Sequence, residues 1–572
     1  MSDSITLHPQ AILDPRGQPP PPVSLAPRLA RLQGQSIAFF DNTKLDFGHY
    51  RLLVPIVEEY LLAQGAARVV FLRRQLRGCG NPAILATAEQ IRASGADAAI
   101  LALADMGVTP ATVLLAAELE RGGMPTAVVC AEPGTTLAKV VAAYRAPGLH
   151  LCDIALTTST TPEQVRERAV PLAQDIASAL QVEAEGEPAA QPESPVETLP
   201  YAGGVVQLAA ERTVATEAGQ GSIDPAGFAE DAYDAFTEAH IGDGLPFIPP
   251  TAERVRRMLE YTDLSPEEVI LAETQPSGAA VTVERLAVNA VMAGCRPRYF
   301  PIVVAAFQAL ADPKFPFLQT VTTSYPGGTL VLVSGPLARE IGIASGGGCM
   351  GPGFRANATI GRTISLVLLN VCRARPGQAD LAAQGSPAKY TFCFAENDSA
   401  NPWAPLHTEC FGPEVTCVYV GKCEGPHQAM NYLGNTPESI LDSIASTATS
   451  LGSNNAYQPG DLVVALCPDH ALTIASGGWS KDDVRRYLYE AVRNPRKRLD
   501  GRGLVPLWPE WMFHLEDVPV VSKPENIVVV VAGGPGPQSG TILPWAIGPA
   551  VLRRVTLADG RSACSVEEFR RR

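Results

Sequence analysis

The chain has 572 residues, 46% of them hydrophobic and 18% charged, with 50 glycines and 50 prolines. That balance excludes a disordered chain, and the length exceeds what one hydrophobic core supports, so two or three domains are expected. A formal charge of -14 repels phosphate backbones and anionic lipid, which excludes nucleic acid and membrane surfaces as general partners.

No basic start followed by an apolar stretch marks a secretory leader, and no window of about twenty apolar residues marks a membrane span. A cytoplasmic location is therefore expected. The 12 cysteines form no tight framework and read as free thiols.

In chain order, residues 1–33 read as a Pro-rich arm. A strand over Ser36–Phe40, a helix over Tyr50–Leu62 and a strand over Ala67–Leu72 follow, making one strand–helix–strand unit. A helix over Ile84–Ala93, a strand over Ala98–Leu103, a helix over Pro110–Arg121 and a strand over Thr126–Cys130 continue the alternation. The expected fold class for 34–181 is α/β with a doubly wound parallel sheet. Its strand ends carry Asp41, Asn42, Thr43, Arg73, Arg74, Asp105 and Glu132, where ligands bind such sheets.

Residues 182–223 are rich in Glu, Pro, Ala and Gly and read as a linker. A larger mixed α/β domain is expected over 224–556, before a charged tail over 557–572. Its predicted helices cover Thr251–Tyr261, Glu284–Ala293, Tyr299–Leu310 and Ala356–Val371. Predicted strands cover Thr329–Val333, Lys389–Ala395, Val415–Tyr419, Leu462–Cys467 and Ile527–Ala532. No internal repeat is evident in this reading.

Three segments of the first domain, Phe40-Asp41-Asn42-Thr43-Lys44, Gly95-Ala96-Asp97-Ala98-Ala99-Ile100 and Glu118-Leu119-Glu120-Arg121-Gly122-Gly123-Met124-Pro125-Thr126, resemble the UGSC family. That family is named for a selenocysteine-or-cysteine, Gly, Ser, Cys motif. The resemblance covers roughly residues 36–180 and implies thiol or selenol chemistry. At the motif itself this chain reads Ala104-Asp105-Met106-Gly107-Val108-Thr109, so Met106 and Thr109 stand where the two redox atoms would be. Neither forms a dithiol pair. Asp243-Gly244-Leu245-Pro246, Asn289–Cys295, Gly353–Arg362 and Ala395-Glu396-Asn397 look like a domain found fused to UGSC-like modules, which implies no reaction.

The chemistry-bearing residues of the second domain fall into three groups. Gly346, Gly347 and Gly348 lead toward a helix, and backbone amides at such a place bind phosphate or carboxylate. Arg355 and Arg362 would add bidentate contacts, with Asn357, Asn289 and, from the first domain, Asp105 also expected at the substrate. Cys349 in this loop is the expected nucleophile, its thiolate favoured by a nearby helix N-terminus, and Cys295 is a weaker one. A buried inert thiol is the competing reading for both.

The second group is Glu396 with His407-Thr408-Glu409-Cys410. In an extended segment His407 and Glu409 share a face, so one would act as acid or base and the other orient it. The same pair would ligate a divalent metal if one is bound; no other cofactor is expected. The third group, Cys467-Pro468-Asp469-His470, follows an apolar strand and serves equally well to cap a helix.

The sequence thus points to an enzyme acting on a small carboxylate or phosphate by acid–base or thiolate chemistry of lyase, hydrolase or transferase type. The alternatives are a thiol-linked redox or sulfur-transfer enzyme and a non-catalytic scaffold. A homo-oligomer is left open, and a cleft between the domains is the expected place of the site.

Overall fold

The computed structural model describes residues 11–571, apart from 44–45, 77–79, 106, 133, 158, 504–507, 509, 546–547 and most of 182–224. Met106 and nearly all of the expected linker lie outside the described residues. The chain is α/β throughout.

The N-terminal domain alternates β1 (Ser36–Asp41), α1 (Leu53–Ala63), β2 (Arg68–Arg73), α2 (Asn81–Ala93), β3 (Ala98–Ala104), α3 (Thr109–Arg121), β4 (Thr126–Cys130), α4 (Gly134–Arg145), β5 (Leu151–Asp153) and α5 (Pro162–Gln181). The strands form one parallel sheet in the order β2-β1-β3-β4-β5. Its central strand β3 is buried along its whole length, which is why its residues are apolar without alternation. Helices cover both faces. Ile84, Leu115 and Val141 pack with Leu101 on one side, and Val57, Leu61 and Ile176 pack with Ile100 on the other.

The arm is a strap. Ile12 and Arg16 are fully buried, and Arg16 is ion-paired at 2.7 Å to the equally buried Asp14. Arg28 pairs at 2.5 Å with the buried Glu120 of α3. The carbonyls of Asp14 and Pro15 accept from Arg285 and Asn289 of the second domain. The described part of the Pro-rich segment therefore belongs to the packed structure of both domains.

The second domain is built around two four-stranded sheets. The first half comprises α6 (Val283–Ala293), α7 (Phe300–Leu310), β6 (Gly328–Ser334), α8 (Pro336–Ile341), α9 (Arg355–Asn370), β7 (Cys393–Ala395), β8 (Cys417–Cys423) and β9 (His427–Met430). The second comprises α10 (Pro437–Ala448), β10 (Leu462–Leu466), α11 (Pro468–Ser476), α12 (Lys481–Ala491), β11 (Ile527–Val531), β12 (Gln538–Ile542) and β13 (Val551–Arg554). Sheet orders are β7-β6-β8-β13 and β9-β12-β10-β11.

This is a duplicated topology, which the sequence reading does not anticipate. Within each half a helix precedes a central strand that pairs in parallel with the next strand and antiparallel with the one after, β6 with β7 and β8, β10 with β11 and β12. The last strand of each half then crosses over. β9 pairs with β12 of the second half, and β13 pairs with β8 of the first.

Strand alternation makes four layers. Val331, Val333, Val418 and Val420 face α6, α7 and α9, while Leu330, Leu332, Phe394 and Tyr419 face Val463, Ala465, Val530 and Ile542 of the other sheet. Val464, Leu466, Val529 and Val531 face α10, α11 and α12.

Two expectations change. Of the strand predicted over Lys389–Ala395, only Cys393–Ala395 pairs, because Pro387–Lys389 forms a 3-10 turn capped by Ser386. The charged tail is packed: Val566 and Phe569 are buried, and the Arg571 amide and guanidinium bond the carbonyls of Glu260 and Thr262.

Candidate active site

The parallel strand pairs of the two halves end on one edge of the second domain. β6 delivers Ser334 and β7 delivers Glu396. The Asn397 amide donates to the carbonyl of Val531 at the end of β11, joining the two sheets there. Gly335, immediately after β6, has φ 126° and an ideal Cβ would stand 2.5 Å from the Val415 carbonyl oxygen, so only glycine permits the turn into α8.

Ser334 is the hub. Its hydroxyl lies 2.6 Å from Glu396 Oε2 and 2.8 Å from His407 Nδ1, and accepts the His407 amide at 3.2 Å. All three side chains are buried. Glu396 also accepts the Leu406 amide at 2.8 Å and the Asn401 side chain at 2.9 Å, with Lys481 Nζ 3.9 Å away. Burial pushes the Glu396 carboxyl up against the opposing pull of Lys481, Ser334 and the Leu406 amide. Burial pushes the His407 imidazole down, against the charge of Asp398. The two groups thus move toward each other from their ordinary values, the condition under which a proton passes between them at small cost.

The hydroxyl permits that transfer. With Glu396 ionised and His407 protonated, Ser334 donates to the carboxylate and accepts from Nδ1–H. With the proton moved, the carboxylic acid donates to Ser334 and Ser334 donates to Nδ1. Both arrangements satisfy every partner.

Asp398 borders this network, ion-paired to Arg339 of α8, and burial raises its carboxyl. Ligand atoms of Glu396, Asp398 and His407 lie within 4.8 Å of one another, a set able to hold a divalent cation. Arg339 and Lys481 already supply positive charge there, which favours proton transfer over metal ligation.

The pairing of His407 with Glu409 is corrected. Both lie in the short helix Leu406–Cys410, where residues two apart point to different faces. Glu409 turns outward to Lys481 at 3.3 Å and Arg485 at 2.5 Å, and Glu396 takes the place beside the imidazole.

The triglycine turn adjoins this centre at its start. The Ala395 amide donates to Ala344, the Gly533 amide donates to Ser345, and Gly346 bridges Gly533. Gly347 and Gly348 are exposed. Asn357 holds the turn, donating to the carbonyls of Ala344 and Cys349 and accepting the Ala344 amide.

Cys349 is corrected as a thiolate. α9 begins at Arg355, beyond the loop, and burial pushes the Cys349 thiol up despite the Gly533 amide. Cys295 is buried beside Thr363, 3.3 Å away, and its thiol is likewise raised by burial.

The remaining expected substrate contacts stand elsewhere. Arg355 Nε donates to the Gly294 carbonyl at 3.0 Å, and Arg362 is committed to Asp243 at 2.7 Å and to the carbonyls of Leu245 and Pro246. Asn289 bonds Pro15, Arg285 and Asn370 inside the core. Asp105 is buried in the first domain at the end of β3, where its carbonyl accepts the Thr109 hydroxyl.

A second cluster stands where the sequence allowed either functional side chains at a strand end or a helix cap. Cys467 ends β10 and caps α11; Ser539 lies 2.8 Å from His470 Nδ1, its hydroxyl is 3.7 Å from Cys467 Sγ, and it accepts the Cys467 amide at 3.1 Å. Burial pushes the Cys467 thiol up, but hydrogen bonding to His470 and Ser539 outweighs it and holds the thiol below its ordinary value. His470 is raised correspondingly, chiefly through Cys467.

No curated protein and no solved structure matches the chain. Residues 11–182 match the family model described as UGSC family, so the N-terminal part, strap included, is similar to that family.

Proposed function

We propose that the second domain is an enzyme that acts on a small carboxylate- or phosphate-bearing substrate by acid–base chemistry, with Glu396 and His407 exchanging a proton through Ser334. The observation that supports it is the Ser334 hydroxyl within 2.8 Å of both a carboxyl and an imidazole whose proton affinities burial moves together. Arg339 and Lys481, set against the carboxylates of this network, supply the positive charge that draws an anion to it. The first domain is read as having lost redox work, because Met106 and Thr109 replace its motif's chalcogens.

A panel of small carboxylic acids and phosphate esters in D2O, followed by NMR, tests this. Wild type should convert or deuterate one class, and His407→Gln should slow that about 10²–10⁴-fold. No reaction and no thermal stabilisation by any member would leave the scaffold reading instead.

A second reading, nucleophilic or redox thiol chemistry, rests on Cys467 and its low-affinity proton beside His470. It differs in its test: Cys467→Ser would abolish the activity and His407→Gln would spare it.

A further inference from the structure

A cavity of about 870 Å³ opens at the opposite edge of the first sheet from Ser334. Its wall includes Lys422, which stands on β8 opposite Thr329 and shares the helix-facing side of the strand with Val420. The side chain is buried, and among the described residues its ammonium donates to the Thr320 carbonyl alone, 2.9 Å away. A lysine has three donors, and burying its charge without a carboxylate is costly. The titratable groups that line the cavity with it are Lys389, Asp380, Arg375 and Tyr390 on the 374–390 segment and His240 and Asp243 on the 237–244 segment, and Cys423 adjoins it along its own strand. Each of the two carboxylates is already paired, Asp380 with Lys389 and Asp243 with Arg362. The segment of α9 that lines the cavity, Ser365, Leu368 and Leu369, carries no charge.

Burial, with Lys389 adding to it, lowers the Lys422 ammonium to about 7, so much of it is the free amine at neutral pH. A free amine in a roomy pocket is a nucleophile toward carbonyl carbon. Arg375 and Lys389, the latter paired with Asp380, add positive charge to the same wall, which draws a carboxylate.

We propose that this cavity binds a small oxo acid and that Lys422 condenses with its carbonyl group. The Nζ lone pair forms the C–N bond while the carbonyl π pair moves to oxygen, which takes one proton from nitrogen and becomes a hydroxyl. Loss of that hydroxyl as water, with a proton from nitrogen, leaves an imine. No electron is gained or lost, and hydrolysis reverses the step. This site is separate from the Glu396–His407 centre and does not depend on it.

The test is reductive trapping on the full chain with pyruvate or glyoxylate and cyanoborohydride, read by peptide mass. Hydride adds to the imine carbon and fixes the adduct. At pH 7, Lys422 should be labelled at least about tenfold faster than the exposed Lys314, with a rate that climbs as pH rises through about 7. Lys422→Arg should lose the cavity adduct while still being stabilised thermally by pyruvate, and His407→Gln should label as wild type. Labelling of Lys422 no faster than that of Lys314, or a cavity adduct that persists on Lys389 in Lys422→Arg, would overturn the proposal. If Lys422→Arg does not fold, the wild-type ratio alone decides.

Discussion

The two halves of the second domain share a core order of helix, central strand, two helices, parallel strand and antiparallel strand, yet the side chains near their strand ends carry different chemistry. In the first half, Ser334 joins a carboxyl to an imidazole. In the second, Ser539 joins an imidazole to a thiol. Each serine is also the acceptor for a backbone amide at the start of a short helix, the His407 amide or the Cys467 amide. The two serines hold different places in the duplicated scaffold, Ser334 at the end of central strand β6 and Ser539 on β12, the antiparallel partner of central strand β10, and the neighbouring residue types decide which proton is loosened. Function lives in the grafted side chains and not in the shared topology.

The comparison can be broken at its core first. Phe394→Ala and Ile542→Ala remove side chains from the layer shared by the sheets, and should cost about 3–5 and 2–5 kcal/mol respectively in denaturant unfolding. Native-state hydrogen exchange should show protection falling in both sheets for either variant. Loss confined to one sheet would mean that the halves are energetically separate.

The hubs come next. Ser334→Ala strands an amide, an imidazole nitrogen and a carboxyl, and Ser539→Ala strands an amide and an imidazole nitrogen, so each should destabilise by about 1–3 kcal/mol, the former more. Equal values would indicate that Glu396 finds another donor.

The thiol sharpens the contrast further. A Cys467 thiol below its ordinary value should react with iodoacetamide at lower pH than a free cysteine, and His470→Gln should return the profile to higher pH. An unmoved profile would show that His470 does not govern it. The smallest effect is at Glu409, whose partly exposed pairs with Lys481 and Arg485 should contribute less than about 1 kcal/mol, measured as the change in unfolding midpoint of Glu409→Gln.

The alternation of strands and helices was legible through the whole first sheet, because β3 and its neighbours are short apolar runs separated by longer stretches of helix-forming residues. In the second domain the long helices at 283–293, 300–310 and 355–370 were legible for the same reason. Strands β9, β12 and β13 were not. They are short, carry residues such as His427, Gln538 and Arg553, and owe their existence to pairing across the halves.

The duplication left one trace in sequence, Ile343-Ala344-Ser345-Gly346-Gly347 just after α8 against Ile474-Ala475-Ser476-Gly477-Gly478 at the end of α11, near the close of the helix that follows each central strand. Glu396 and His407 were found by residue type. Ser334 was not, since a serine ending an apolar strand has no signature until the fold brings partners 62 and 73 residues away to it.

The crossing of β9 and β13 has a consequence for how this domain can be divided. A chain cut near Gly434, between β9 and α10, would part the strands that cross from one half into the other's sheet, and each piece would lack an edge that only its sibling supplies. The halves are therefore mutual templates. Expressed apart they should be insoluble, and mixed they should recover one another, so the smallest inheritable unit of this architecture is the interlocked pair.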